Sequence, residues 1–182
     1  GMQVLEWAIM YPDFINSIIP IAAAVQHSAW AIGLNDAARS AIINDPMWHN
    51  GLYETQPQAG LTLARKIAMI SYRSYSSFNM KFGRTKLDPN KKNSVFNIEN
   101  YLQYQGNKLT KRFDANSYIT ITKAMDDHNV ARGRGSLHAA LGSIKSRTLC
   151  VGISSDVLYP ADEQKEISSM IPDANYVEIN SI

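Results

Sequence analysis

The order of apolar and polar positions predicts strand-and-helix alternation at both ends of the chain, with a long helical block between them. Apolar residues recur at helical spacing over residues 3–14, and residues 17–24 form an apolar run without polar alternation. Such a run is typical of a strand that is buried on both faces. The order strand, helix, strand then returns near the other end, over residues 148–153, 161–171 and 176–179.

The middle of the chain predicts helices joined by polar loops. Apolar residues are spaced for helices over residues 29–44, 61–81, 98–113, 115–128 and 137–144. Three parallel strands are too few for a sheet covered on both faces, so we expect the second, C-terminal half of a larger α/β domain, interrupted by a block of helices. The predicted division is residues 1–26 and 145–182 in the strand-containing core, with residues 27–144 as the helical block.

Composition indicates a globular protein and narrows the class of partner. Of 182 residues, 45% are hydrophobic and 19% are charged, and the net charge is +2 with acids and bases interspersed. This balance disfavours a nucleic-acid-binding stripe or a membrane-surface patch. The one cysteine, Cys150, rules out an intramolecular disulfide and fits a reducing compartment. With apolar runs much shorter than the roughly 20 residues of a membrane span and no signal-peptide pattern, we expect a cytoplasmic location.

The clearest chemical signal is an acid directly after a predicted strand. The apolar run 148–153 ends in Ser154-Ser155-Asp156. Catalytic groups of open α/β sheets gather at the carboxyl ends of strands, and an acid there commonly orients a histidine that activates a serine. No G-x-S-x-G elbow precedes Asp156, and no histidine follows it. A solvated aspartate that caps the next helix is an equally good interpretation.

A second candidate site lies on the longest predicted helix. Arg65 and Tyr72 are seven residues apart, two helical turns, so their side chains share one face. An arginine can bind a carboxylate through two parallel hydrogen bonds, and a phenol beside it can donate to the same group. Spacing alone favours the plainer alternative, a surface arginine beside a half-buried tyrosine.

The remaining polar motifs predict structural roles. The four histidines lack metal-ligand spacing, so we expect no metal site and a structural role for each of them. They are His27, His49, His128 and His138. The turn Arg132-Gly133-Arg134-Gly135 could hold a phosphate as a backbone nest, but bracing of a loop is the better interpretation.

Taken together, several segments resemble the homoserine O-acetyltransferases of the α/β-hydrolase fold. These segments follow in order along almost the whole chain: Gly1-Met2-Gln3, Leu5-Glu6-Trp7-Ala8, Asp45-Pro46 with Trp48, Gly60-Leu61, Ala64-Arg65, Lys81-Phe82-Gly83-Arg84, Tyr101-Leu102-Gln103-Tyr104-Gln105-Gly106, Arg112-Phe113-Asp114-Ala115-Asn116-Ser117-Tyr118 and Ser155-Asp156-Val157-Leu158-Tyr159-Pro160.

The resemblance implies a reaction and roles for three residues. Members of this family move an acetyl group from acetyl-CoA to the hydroxyl of homoserine through an acyl-serine, without a bound cofactor. Asp156 matches the acid of the catalytic triad, and Arg65 matches the arginine that pairs with the homoserine carboxylate. Tyr72 matches a tyrosine that lines the same tunnel. The helical block would be the lid, which shapes the tunnel and supplies the contacts of a homodimer.

The resemblance also implies that two catalytic residues lie outside these 182 residues. The family's serine sits in a Gly-Gly-Ser-Met-Gly-Gly elbow ahead of the first helix, and its histidine sits in a Gly-His-Asp segment after the last strand. Without them no acyl-enzyme forms, so we expect the 182 residues alone to be inactive. Two alternatives remain: a non-catalytic remnant acting as a dimeric interaction module, and a relative that acylates serine or uses succinyl-CoA.

Overall fold

The computed structural model describes residues 1–181, which form eight α-helices, one 3₁₀-helix and three β-strands. In chain order the elements are α1 (Met2–Met10), β1 (Ser17–Ile18), α2 (Ala29–Ile43), a 3₁₀-helix (Pro46–Gly51), α3 (Gln58–Ser71), α4 (Tyr75–Phe82), α5 (Asn97–Thr110), α6 (Ala115–Asp126), α7 (Leu137–Gly142), β2 (Arg147–Ile153), α8 (Ala161–Met170) and β3 (Asn175–Ile179).

The strands form one parallel sheet in the order β1-β2-β3, which confirms the predicted fold class. β1 is much shorter than the apolar run suggested, because only Ser17–Ile18 pairs as a strand, with a single further bridge from Ile21 to Val151. Two local features end the ladder. Pro20 has no N–H to donate, and Ala22 adopts the left-handed region at φ 44°.

The chain divides into two compact units. Residues 29–125 form one of them, and residues 1–28 together with those from 126 onward form the other; we call them the helical unit and the strand unit. The strand unit therefore includes α7, which the sequence pattern had grouped with the helical block up to residue 144. The reason is packing, since Ala140 and Leu141 of α7 are buried in the same cluster as Cys150 of β2.

The strand unit is built around β2 and the helices that cover it. Its buried apolar cluster consists of Leu5, Ala8, Ile18, Val130, Ala140, Leu141, Ile144, Cys150, Ile167 and Ile171. Among the polar residues buried in this unit, Gln164 of α8 is the most enclosed, with 0% exposure. Its Oε1 accepts from the Ala23 N–H at 3.0 Å, and its Nε2 donates to the Ala23 carbonyl. Gln164 thus satisfies both backbone groups of a residue that follows β1.

The helical unit is held together by close approach of α3 to two neighbouring helices. A Cβ added at Gly60 would lie 2.5 Å from the Ala41 carbonyl oxygen and 2.8 Å from the Ile42 Cα, both on α2. A Cβ at Gly106 of α5 would lie 2.5 Å from Thr62 Cγ2 on α3. Because real Cβ contacts are essentially never this short, both positions require glycine at these helix spacings.

The longest predicted helix is in fact two helices. The apolar spacing predicted one helix over residues 61–81, whereas α3 ends at Ser71 and α4 begins at Tyr75. Ser74 ends the continuity, because its extended backbone and its Oγ, which accepts from the Ser77 N–H at 3.0 Å, start a new helix. Tyr72 is consequently the residue after α3 and not a residue within it.

None of the helices found over residues 1–181 combines the length and apolar character that crossing a bilayer requires.

Candidate functional site

Asp156 lies in a tight turn just beyond the carboxyl end of β2. Its Oδ1 accepts two backbone hydrogen bonds, from the Leu158 N–H at 2.8 Å and the Tyr159 N–H at 2.9 Å. Its own N–H donates to the Ile153 carbonyl at 3.1 Å. The carboxylate is half-buried and belongs to the loop between strand and helix, which is the position expected for a catalytic group.

The alternative role of Asp156 as a helix cap does not match the geometry. α8 begins at Ala161, its N-cap residue is Pro160, and no side chain caps it. Asp156 instead organises the turn before that cap. The negative charge of Asp156 also acts on Glu163 of α8. The pKa of Glu163 is raised mainly by burial, and further by the charges of Glu166 and Asp156.

His27 is hydrogen-bonded through both ring nitrogens close to Asp156. Its side chain is 1% exposed, with Nδ1 3.0 Å from Asp126 Oδ1 and Nε2 3.1 Å from the Tyr159 hydroxyl. Tyr159 also donates its backbone N–H to Asp156. The sequence predicted only a structural role for His27, and no spacing in the sequence pointed to these partners, because they lie 99 and 132 residues away.

Arg65 and Tyr72 meet in the helical unit. The Arg65 guanidinium carbon lies 5.1 Å from the centre of the Tyr72 ring, a cation–π contact. Tyr72 is 54% exposed. Within residues 1–181, no carboxylate lies within 4.0 Å of the Arg65 guanidinium. An arginine placed this way can donate two hydrogen bonds to an external carboxylate.

Two further residues of the helical unit, Tyr118 and Arg39, interact electrostatically with this pair or with each other. Burial raises the pKa of the Tyr118 hydroxyl to about 12, with a further increase from Tyr72 and an opposing effect of Arg65 and Arg39. Tyr118 therefore stays protonated and can donate a hydrogen bond at neutral pH. The sequence pattern gave neither Tyr118 nor Arg39 a role in a site. The signals for them were an arginine on the apolar face of α2, which is 8% exposed, and a tyrosine within the segment 112–118.

The arginine-glycine turn braces its loop, as predicted. Arg134 donates from its guanidinium to Glu6 Oε2 at 2.8 Å and to the Val130 carbonyl at 2.8 Å. Gly133 and Gly135 take up the left-handed region, with φ of 71° and 86°.

Across residues 1–181, no group of three or more His, Cys, Asp or Glu side chains is arranged to hold a metal ion.

The predicted site residues thus fall into two groups. Arg65 and Tyr72 are in contact within the helical unit, and Asp156 lies in the strand unit. Each group has the chemistry expected of it, a fixed carboxylate in one and a cation beside a phenol in the other. Their roles in a reaction stay predictions.

Comparison with known proteins gives a family and close relatives. Residues 1–181 match the profile of the alpha/beta hydrolase fold family. The chain is 51% identical to homoserine O-acetyltransferase of Nostoc punctiforme, over 96% of this chain and 50% of that protein. It is 44% identical to homoserine O-acetyltransferase of Chlorobium chlorochromatii, over 99% of this chain and 51% of that protein.

A solved structure agrees with these relatives. The X-ray crystal structure of homoserine O-acetyltransferase from Bacillus anthracis superposes with a TM-score of 0.90 at 26% identity, covering all of this chain and 51% of that one. The chain spans about half the length of the curated relatives it matches.

Proposed function

This chain belongs to the alpha/beta hydrolase fold family, and we propose that it forms part of a homoserine O-acetyltransferase. The reaction is acetyl transfer from acetyl-CoA to the hydroxyl of L-homoserine, a step of methionine biosynthesis. The observation that carries the proposal is identity of 44–51% to enzymes of that name over nearly the whole of this chain.

Asp156 is proposed as the acid of the catalytic triad. In such a triad the carboxylate accepts the Nδ1–H of a histidine, selects its tautomer and stabilises the imidazolium that forms when the serine is deprotonated. The two backbone N–H groups on Oδ1 keep the Asp156 carboxylate in a fixed orientation. No residue within 1–181 donates a hydrogen bond to the other oxygen, Oδ2, which is therefore available to a histidine.

Arg65 and Tyr72 are proposed to bind homoserine. The guanidinium would pair with the substrate carboxylate through two parallel hydrogen bonds, and the phenol would line the same tunnel. Contact with the Tyr72 ring limits the motion of Arg65, so less conformational entropy is lost when the carboxylate binds.

The remaining parts of the proposal concern the assembled protein. Acetyl-CoA serves as co-substrate with no bound cofactor, the enzyme is a homodimer through its helical unit, and it works in the cytoplasm. Residues 1–182 alone are proposed to be inactive, because transfer needs a serine and a histidine that act with Asp156.

The test is acetyl-CoA-dependent thiol release with L-homoserine, measured on the complete gene product and on residues 1–182 separately. We expect turnover only in the complete protein, with L-serine and succinyl-CoA as poor replacements. Turnover by residues 1–182 would overturn the inactivity. Failure of the complete protein to use homoserine would overturn the proposed reaction.

A further inference from the structure

His27 is held next to Asp126 by a short pairing of two backbone segments. The His27 N–H donates to the His128 carbonyl at 3.2 Å, and the Val130 N–H donates to the Val25 carbonyl at 2.9 Å. An antiparallel bridge between Gln26 and Asn129 lies between these two bonds. The pairing fixes the backbone of His27 independently of its side chain.

The partners of the imidazole determine which nitrogen carries the proton. A carboxylate only accepts hydrogen bonds, so the bond to Asp126 places the proton of the neutral ring on Nδ1. Nε2 is then an acceptor, and the Tyr159 hydroxyl donates to it at 3.1 Å. The order of donation therefore runs from Tyr159 to His27 to Asp126.

Tyr159 is consequently fixed at two points, its hydroxyl on His27 and its backbone N–H on Asp156 Oδ1. We infer that His27, braced by Asp126, positions the proposed catalytic carboxylate of Asp156 through Tyr159. This inference rests on the proposed function, in which Asp156 is the triad acid. It assigns positioning roles to three residues for which neither the sequence pattern nor the resemblance suggested any part in the reaction.

The arrangement repeats the hydroxyl, imidazole and carboxylate order of a nucleophilic triad, but its burial excludes that use. The His27 side chain is 1% exposed and the Asp126 side chain 13%. In such a triad the imidazole must pass a proton to the leaving group of the substrate, which a ring enclosed to this extent cannot reach. The network can act on the reaction only through the residues it holds in place.

The first test removes one hydroxyl from the complete protein. Tyr159→Phe keeps the ring and the backbone N–H but breaks the link to His27. We expect kcat to fall about tenfold while KM for homoserine stays within about twofold. The reason is that a displaced triad acid reduces stabilisation of the transition state more than it reduces binding of the substrate. Tyr176→Phe is the matched control, because it removes a hydroxyl that donates to Glu178 at 2.8 Å in the same unit. It should leave kcat unchanged.

The second test uses two substitutions of His27 that each keep one of its hydrogen bonds. A glutamine amide reaches the Nε2 position and retains the link to Tyr159, and an asparagine amide reaches the Nδ1 position and retains only the link to Asp126. Positioning predicts that His27→Gln keeps kcat within about threefold, whereas His27→Asn falls about tenfold, as Tyr159→Phe does. A purely structural role predicts that both variants lose stability and neither changes kcat.

A third measurement does not depend on activity. Amide hydrogen exchange of Leu158 and Tyr159 reports whether their N–H groups still bind Asp156. We expect faster exchange at both amides in Tyr159→Phe and His27→Asn, with unchanged exchange at the β2 amides. Unchanged exchange at residues 158 and 159 would overturn the inference.

Failure of the inference can be told from failure of the proposed function. If Asp156→Asn abolishes turnover while Tyr159→Phe and His27→Asn match the unsubstituted enzyme, only the positioning inference is wrong. If Asp156→Asn retains turnover, Asp156 is not the triad acid, and both its proposed catalytic role and the positioning roles that depend on it fail. Unchanged turnover in Asp156→Asn with faster amide exchange in Tyr159→Phe would leave the network as an anchor of the loop alone.

Discussion

Asp156 and Arg65 are both charged and partly buried, yet their surroundings differ in kind. The Asp156 carboxylate is held through one oxygen, Oδ1, by two backbone N–H groups of its own turn, two and three residues away. The Arg65 guanidinium contacts an aromatic face and has no acid as a close partner within residues 1–181. The difference is what the two proposed roles demand: a group that orients another residue must itself be fixed, and a group that binds a ligand must keep its hydrogen-bonding capacity for that ligand.

The contrast predicts its largest effect at Asp156. In the complete protein, Asp156→Asn should lower kcat by about 10⁴-fold, because an amide can no longer hold a triad histidine in the correct tautomer. Thiol release from acetyl-CoA measures the loss. Asp162→Asn on α8 is the control, since that side chain is 90% exposed and should tolerate the same change. A drop of less than about tenfold would mean that Asp156 only shapes the turn.

Arg65 should show the opposite kinetic pattern. Arg65→Ala removes a charge-assisted pair with the substrate carboxylate, so we expect KM for homoserine to rise about 10- to 100-fold with a smaller change in kcat. Steady-state kinetics with varied homoserine separates the two constants. Arg112→Ala, an exposed arginine of the same unit, should leave both unchanged. Equal losses in kcat for Arg65 and Asp156 variants would remove the distinction between binding and orienting.

The helical unit is also distinguished by how tightly its helices approach. Gly60→Ala should destabilise it by about 1–3 kcal/mol, because the new methyl group meets backbone atoms of α2. Gly33→Ala is the matched change on α2, where nothing lies within 4 Å; it should stabilise by about 0.5–1 kcal/mol. Urea unfolding of residues 1–182 measures both. Equal effects at the two positions would show that α2 and α3 separate readily.

The strand unit should respond to pH through His128. The pKa of His128 is lowered, and burial is the largest cause. His27 and Arg132 lower it further, whereas the Ala24 carbonyl and Glu6 act in the opposite direction. The folded state then binds fewer protons than the unfolded state near pH 6, so this contribution to stability is present above about pH 6.5 and is lost as the pH falls. Urea midpoints at pH 7.5 and 5.5 measure the loss, and His128→Gln should reduce the difference. An unchanged difference would assign the pH dependence to carboxylates.

Features that depend on neighbours in the sequence could be predicted, and features that depend on distant ones could not. The strand before Asp156 and most of the helices follow from local spacing, whereas Arg65 and Tyr72 are in contact although Tyr72 lies after the end of α3 and not on the predicted helix face. The break at Ser74 was missed because capping by one serine overrode a continuous apolar pattern. The network of His27 was missed because its partners meet only after the sheet and the segment 128–130 have come together.

The boundary of the helical unit shows the same limit. Apolar helical spacing is identical for a helix that packs on other helices and for one that packs on a sheet. α7 reads as a continuation of the helical block, but Leu141 is 0% exposed in the core around β2. Only packing could separate the two cases.

Cys150 gives the strand unit a natural probe for following its motions. It is the one cysteine of the chain, it lies in the middle of β2 with 0% exposure, and burial raises the pKa of its thiol to about 11. Cys150 is buried in the apolar cluster between β2 and the helices that cover it, so an alkylating reagent can reach its sulfur only when that cluster opens. The helical unit offers no second thiol. The labelling rate in urea would therefore time the opening of the strand unit's apolar cluster, without any engineered reporter.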